Sequence, residues 1–326
     1  MKTAIITGIT GQDGAYLAEL LIKENYQVIG LTRSYNNFNN SNFKYLKIED
    51  NVKMEECDLL DFSSIIKILL KYKPDEFYNL AAQSSVNVSF EQPIGTINYN
   101  TQSVINILES IRILKLDTKV YQASSSEMFG YVDLLPVNEI TPLHPLSPYA
   151  ISKATGYWIG VNYRESYGVY CANGVLFNHE SYLRSPNFFI KKVIKTSLDI
   201  KNNLTNVLAV GNIDVKRDFG FAPDYVQAMW LSLQHDKADD YLICSGKSIY
   251  LRDIIIYVFD HFGISKEKLV EDPALFRPTD IKDIYGDNSK AKTTLNWQYD
   301  KSFFDVLDIL IEEEKNNYKA SIGSKR

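Results

Sequence analysis

The chain has 326 residues, 45% hydrophobic and 23% charged, with a net charge of −5 at pH 7. That balance fits a folded globular protein of one large domain or two coupled ones. The acidic total and the scattered lysines and arginines argue against nucleic acid as a partner. No apolar stretch is long enough to span a bilayer, so no membrane partner is expected. The opening residues lack a basic start and an apolar signal core, which places the expected location in the cytoplasm. Cys57, Cys171 and Cys244 are odd in number and form no C-x-x-C pair. Reduced thiols, with no disulfide framework and no metal, are the expectation.

In chain order, "TAIIT" (Thr3–Thr7) reads as a buried strand, and "YLAELLIKEN" sets Leu17, Leu20 and Leu21 on one helical face. "QVIGL" and "VKMEECDL" read as the second and third strands, the latter followed by a helix over "DFSSIIKILLKY". "EFYNLAA" reads as the fourth strand, and a long helix is expected from Pro93 to Leu114. "TKVYQASSS", a helix over "SPYAISKATGYWIGVNYRESYG" and "VYCANGVLF" complete the pattern. Strands alternating with helices predict an α/β fold, a Rossmann-type doubly wound parallel sheet with right-handed crossovers. Residues 1–177 form the expected dinucleotide-binding domain, with a return segment at about 208–235. Residues 178–207 and 236–326 form a smaller mixed α/β substrate-binding domain. Asn-rich Ser34–Tyr45 reads as a loop and a candidate self-contact, and the polar tail as frayed.

"TGITGQDG" carries Gly8, Gly11 and Gly14 between the first strand and its helix. In that setting glycines let backbone approach a pyrophosphate at the positive end of a helix. A dinucleotide lacking the 2′-phosphate usually meets an Asp or Glu at the end of the second strand. Here Arg33 stands there, and a guanidinium suits a 2′-phosphate. NADP is therefore expected, ahead of NAD. Asp58 is placed to meet the adenine edge.

"SPYAISK" sets Tyr149 four residues before Lys153 on one helical face. A nearby ammonium favours the phenolate and would lower the tyrosine's pKa, making Tyr149 a base at neutral pH. In "YQASSSEMFG", Glu127 follows Ser125 by two residues just past the fifth strand.

Together with "NLAAQSSVNVSFEQP", "GVLFNHES", "KRDFGFAPDYVQAMW" and "FRPTD", these motifs resemble the GDP-mannose 4,6-dehydratase family of extended short-chain dehydrogenase/reductases. The resemblance runs from Lys2 to about Trp297. It implies that Ser125, where the family usually has Thr, hydrogen-bonds the sugar O4. Tyr149 would take the C4 hydroxyl proton as hydride passes to NADP, and Lys153 would steady the phenolate and the nicotinamide ribose. Glu127 would remove the acidified C5 proton and hand a proton to the departing O6. The hydride would then return to C6, so the cofactor is regenerated.

The resemblance also implies cofactor contacts from Gly8, Thr10, Gly11, Gln12, Asp13, Gly14, Arg33, Asp58, Leu59, Leu80, Ala81, Ala82, Ser84, Tyr149, Lys153, His179 and Arg184. For the GDP-sugar it implies Ser84, Ser125, Glu127, Asn178, Lys192, Gly211, Arg217, Arg277 and Asp280. A homodimer or homotetramer is implied as well. Several positions depart from the family: Leu183 and Leu146 replace arginines, Ser34 replaces the second of an arginine pair, and "FGFAPD" replaces Trp-Gly-His-Ala-Lys-Asp. These departures leave the four catalytic positions intact and touch the sugar pocket. Another GDP-sugar, such as a GDP-manno-heptose, is therefore an alternative substrate. A reductase or epimerase on the same scaffold is the other enzymatic alternative, and Glu127 argues against it because neither needs an elimination step. A non-catalytic derivative of the fold is opposed by the presence of Tyr149 and Lys153.

Overall fold

Strand β1 (Thr3–Thr7) is buried along four of its five residues. Its side chains alternate between two cores: Ala4 and Ile6 enter one, Ile5 the other. A strand covered on both faces needs such an unbroken apolar run. The computed structural model describes residues 1–35 and 39–323. After β1 come α1 (Gln12–Lys23), β2 (Gln27–Thr32), α2 (Ser41–Leu46), β3 (Val52–Glu56), α3 (Phe62–Tyr72), β4 (Glu76–Asn79), α4 (Val86–Glu91) and α5 (Pro93–Leu114). They are followed by β5 (Lys119–Ser125), α6 (Pro148–Tyr167), β6 (Cys171–Leu176), β7 (Asn178–Glu180), α7 (Phe189–Lys201), β8 (Leu208–Val210), β9 (Lys216–Phe221) and α8 (Ala222–Leu231). The chain continues with β10 (Asp240–Ile243), β11 (Ser248–Tyr250), α9 (Leu251–Phe262), β12 (Leu269–Glu271), α10 (Ser289–Leu295) and α11 (Phe303–Gly323).

Seven parallel strands form the central sheet in the order β10-β6-β5-β4-β1-β2-β3. This is the doubly wound Rossmann-type arrangement. Successive crossovers run outward in opposite directions from β1, so the strand order switches between β1 and β4. A switch point opens a crevice beyond the carboxyl ends of those strands. One sheet face packs Leu17 and Leu21 of α1 against Tyr225 and Met229 of α8, with Trp297 beside them. The other packs Ile65 and Leu69 of α3 against Val104, Ile107 and Leu108 of α5.

Beside the sheet, β7 pairs in parallel with β9 and β11 antiparallel to β9, while β8 pairs with β12. Residues of α7, α9 and α11 close a second core around Val193, Phe259 and Leu307. The segment 208–221 supplies β8 and β9 to these small sheets, and only α8 of the expected return segment lies on the central one. The seventh central strand is β10, which falls inside the stretch assigned by sequence to the smaller domain. Asp240 opens β10, and Arg164 of α6 holds both its carboxylate oxygens at 2.9 Å. Asn173 and Tyr157 donate to it as well. A bidentate pair with further donors makes such burial tolerable.

The expected loop Ser34–Tyr45 is corrected in its second half, where α2 forms. Asn39 Oδ1 accepts from Ser41 N at 2.9 Å, and Phe43 is buried against α1. Packing here overrides the weak helix propensity of asparagine. Residues 36–38 and 324–326, the latter within the expected frayed tail, lie outside the described residues. Cys57, Cys171 and Cys244 are free and buried. Among the described residues no helix is long and apolar enough to cross a membrane, and no cluster of His, Cys, Asp or Glu is grouped to hold a metal.

Candidate active site

The turn between β1 and α1 is shaped by close backbone approach. Gly8 sits at φ +65°, where a Cβ would meet Ala81 N at 2.9 Å. A Cβ on Gly14 would lie 2.5 Å from Gly8 O and 2.6 Å from Ile9 Cα. Gly11 N donates to Gly8 O at 2.9 Å, and Gly11 begins α1 with no side-chain cap. Bare backbone at a helix N-terminus is what a pyrophosphate requires. Because the atoms facing Gly14 are backbone, they cannot swing aside. Gly14→Ala is therefore expected to cost about 1–3 kcal/mol by overpacking, outweighing the roughly 1 kcal/mol that alanine gains over glycine in a helix. A fall in thermal midpoint relative to wild type is the check.

Beyond β4, Thr7 Oγ1 accepts from Leu80 N and Ala81 N, both at 3.0 Å, and donates to Asn79 Oδ1 at 2.8 Å. Asn79 in turn donates to Gln122 of β5 at 2.8 Å. This buried network fixes the strand ends around Leu80, Ala81 and Ala82. Ser84 is exposed just before α4, and Thr10 O accepts from Asn42 of α2 at 2.9 Å. Arg33 is exposed with its guanidinium 5.8 Å from the Tyr99 ring centre. Asp58 is exposed and accepts from Leu60 N, whereas Leu59 is buried in the core.

Ser125 ends β5, and its Oγ accepts from Glu127 N at 3.3 Å. Glu127 lies in the short 3-10 turn that follows, its side chain 17% exposed. Ser147 caps α6 by accepting from Ala150 N, and Pro148 suits the first helical position. One turn in, Tyr149 and Lys153 are both buried, the ammonium 6.0 Å from the phenol ring centre. Lys153 Nζ donates to Ala123 O at 2.8 Å.

The electrostatics amend the expected tyrosine. Burial pushes the Tyr149 phenol up to about 12, although a hydrogen bond with Ser125 works the other way. Burial also draws the Lys153 ammonium down to about 8, against the pull of the Asp13 carboxylate. Desolvation is the largest cause at both groups, so burial holds the phenol above its ordinary value and the ammonium below its own.

The substrate-side residues fall into separate groups. Arg277 reaches toward Glu127 at 4.0 Å and Asp280 at 3.8 Å, and its Nε donates to Asn87 at 3.1 Å. Arg217 is buried and bonds Asp280 at 2.6 Å and Ile281 O at 2.6 Å. Glu127, Arg277, Asp280 and Arg217 thus form a row of alternating charge. Asp280, which the resemblance implies for the GDP-sugar, is here the partner of both arginines. Lys192 lies apart from that row, donating to Ala209 O at 2.7 Å. Gly211 follows nearby, where a Cβ would meet Leu275 O at 2.6 Å. Asn178 is half-buried opposite Phe219 of β9. Asn87 and Tyr99 were not singled out from sequence. Asn87 lies 190 residues from Arg277, and no spacing signal links them.

At the head of α1, Gln12 donates to His179 O and accepts from Ser181 Oγ, tying the turn to β7. His179 Nε2 lies 3.0 Å from both Asp13 carboxylate oxygens. Burial opposes the charge on Asp13, but His179 and Gln12 hold its carboxyl down at about 2. Burial likewise opposes the charge on His179, and Asp13 raises it above the usual histidine range. The stabilising share of Asp13 is complete above the ordinary aspartate value and is lost as pH falls through about 2. That of His179 is complete below the ordinary histidine value and is lost as pH climbs through the raised one. Arg184 lies over the Phe188 ring at 3.6 Å, with its Nε 3.7 Å from Glu180.

A family model described as GDP-mannose 4,6 dehydratase matches residues 5–310. The chain belongs to this family. It is 43% identical to GDP-mannose 4,6 dehydratase 1 of Arabidopsis thaliana, over 96% of this chain and 90% of that one. It is 39% identical to the GDP-mannose 4,6-dehydratase of Sinorhizobium fredii, with 96% of each covered. Among solved structures it resembles DesIV, a dTDP-glucose 4,6-dehydratase from Streptomyces venezuelae solved with NAD and TYD bound. That likeness has a TM-score of 0.87 at 21% identity and covers 97% of both chains; it is a likeness of fold. Ser125, Glu127 and the glycine turn lie at the carboxyl ends of β5 and β1, on either side of β4 and beside the switch point of the central sheet.

Proposed function

We propose that the chain is a GDP-mannose 4,6-dehydratase, converting GDP-mannose into GDP-4-keto-6-deoxymannose with a retained nicotinamide dinucleotide, NADP ahead of NAD. The observation that carries this reading is the placement of Glu127. Its carboxylate is mostly withdrawn from solvent, on the turn whose capping Ser125 also bonds the Tyr149 phenol. A simple reductase has no use for a carboxylate there.

The bare Gly8–Gly14 turn, the uncapped start of α1 and the nearby Lys153 fit a dinucleotide. Thr10, Gln12, Asp13, Arg33, Asp58, Leu59, Leu80, Ala81, Ala82, Ser84, His179 and Arg184 complete the residues that would hold it. When bound, the nicotinamide supplies the reversible two-electron chemistry that oxidises the sugar and reduces it again. Tyr149 takes the proton of the C4 hydroxyl, and Ser125 hydrogen-bonds O4. Lys153 stabilises the phenolate form of Tyr149 that accepts this proton and becomes the phenol. The C4 ketone acidifies the hydrogen at C5, which Glu127 removes. Glu127 then gives a proton to O6, which leaves as water. Arg217, Arg277 and Lys192 supply positive charge for a diphosphate, with Asn178, Gly211, Ser84 and Asp280 lining the approach. Arg33 stands where an Asp or Glu usually ends the second strand, which favours the 2′-phosphate. A homodimer or homotetramer belongs to the same reading, supported by the apolar Ile151 and Trp158 exposed on α6.

The test is incubation of the purified protein with GDP-mannose, other GDP-sugars and a UDP-sugar, without added reductant, followed by mass spectrometry. The expected result is loss of one water from GDP-mannose with no net change in dinucleotide redox state. Water loss confined to another GDP-sugar reassigns the substrate. Stoichiometric consumption of reduced dinucleotide, without water loss, replaces the dehydratase reading with a reductase.

A further inference from the structure

Asp13 poses an electrostatic problem. It stands in the first turn of α1, whose N-terminus is the natural seat for a pyrophosphate. A carboxylate there repels the anion that the bare backbone would attract. The structure places His179 against it. His179 Nδ1 lies 2.6 Å from Phe177 O, and Nε2 lies 3.0 Å from both oxygens of Asp13. A backbone carbonyl can only accept, and so can an ionised carboxylate. Both ring nitrogens must therefore donate, which makes the ring an imidazolium.

We propose that His179 is a buried imidazolium whose charge cancels that of Asp13, so that the head of α1 accepts a dinucleotide pyrophosphate. The inference rests on the dinucleotide reading above and assigns His179 a positioning role through Asp13. The groups facing the ring are few. Asp13 approaches from α1, and the Tyr225 ring from α8 lies 5.0 Å away between centres. Glu180 and Arg184 come from its own segment, and Arg184 opposes the imidazolium while Asp13 favours it. Gln12 fixes the geometry, donating both to Asp13 Oδ1 at 3.0 Å and to the carbonyl of His179 at 3.2 Å. The same contacts join the cofactor turn to β7, which carries Asn178, so charge neutralisation and alignment of the two half-sites depend on one pair.

The chain has four histidines, so nitrogen NMR of histidine-labelled protein can resolve each ring. One ring, absent from the His179→Gln spectrum, is expected to keep protons on both nitrogens well above neutral pH, and to titrate at lower pH in Asp13→Asn. Dinucleotide affinity, measured by calorimetry with NADP and with NAD, supplies the second readout. His179→Gln is expected to weaken binding roughly tenfold by leaving Asp13 unneutralised. The double variant Asp13→Asn/His179→Gln is expected to recover most of that loss. A ring that titrates as an ordinary histidine in wild type overturns the proposal, as does a double variant no better than His179→Gln. Wild-type protein that binds neither dinucleotide removes the cofactor reading and this role with it. The NMR result on the same sample separates that failure from an error about the charge.

Discussion

Glu127→Gln is expected to lower water loss from GDP-mannose by about 10²–10⁴-fold, the usual range for removing a positioned acid–base group. Dinucleotide affinity should stay within about twofold, well under the 1.4 kcal/mol that separates tenfold steps. Glutamine keeps the shape and one carbonyl oxygen, so the 3-10 turn and its Ser125 cap have no reason to move. It cannot accept the C5 proton or return one to O6. Oxidation at C4 needs only Ser125, Tyr149 and Lys153, so it survives in this variant. Single-turnover mixing should then show reduced dinucleotide appearing and holding at the level set by the reversible step at C4, because without the elimination C6 cannot accept the hydride. Unimpaired turnover in Glu127→Gln would move the elimination to another group. Arg277, 4.0 Å from Glu127, gives a way to check that charge loss has not simply loosened the neighbourhood: a structure of the variant is expected to keep its bond to Asn87 and its approach to Asp280.

The first half of the molecule is legible in sequence because buried parallel strands are apolar runs and their helices repeat at helical spacing. The helix Pro93–Leu114 is bounded as its sequence reads, by a proline at the first position and a left-handed Lys115 at the end. The smaller sheets are not legible, since β7, β8, β11 and β12 have three residues each, too few to carry a periodicity. β10 is hidden by Asp240, whose burial depends on Arg164 from a distant helix. α2 is hidden by the asparagines at and before its start, since its helix comes from packing of Phe43 rather than propensity. At the site, the glycine turn and the Tyr149–Lys153 spacing are local patterns and can be read directly. The row from Glu127 through Arg277 and Asp280 to Arg217 is assembled by tertiary contacts. Sequence resemblance named its members but could not pair them. Spacing reveals the charge beside Tyr149 and conceals its desolvation, which raises the phenol.

Tyr149→Phe is expected to reduce kcat by about 10³-fold or more through loss of the proton acceptor at O4. The side chain is buried, and phenylalanine fills nearly the same volume, so the fold should hold and the loss should fall on chemistry. The pH dependence follows from the environment of the pair. Burial holds the phenol near 12, so the phenolate is scarce at neutral pH and its share grows as pH rises. The Lys153 ammonium, drawn down to about 8, is the charge that stabilises that phenolate, and it is lost over the same rise. Wild-type kcat/KM should therefore climb through the neutral range and level off or fall on the alkaline side, where the ammonium gives up its proton. Lys153→Met removes the stabilising cation, so its rising limb should move to higher pH by about one unit or more. Tyr149→Phe should show neither limb, only a low rate across the range. If wild-type kcat/KM is flat through neutral pH, or Tyr149→Phe keeps the rising limb, the base at O4 is a different group and the roles of Tyr149 and Lys153 must be reassigned together.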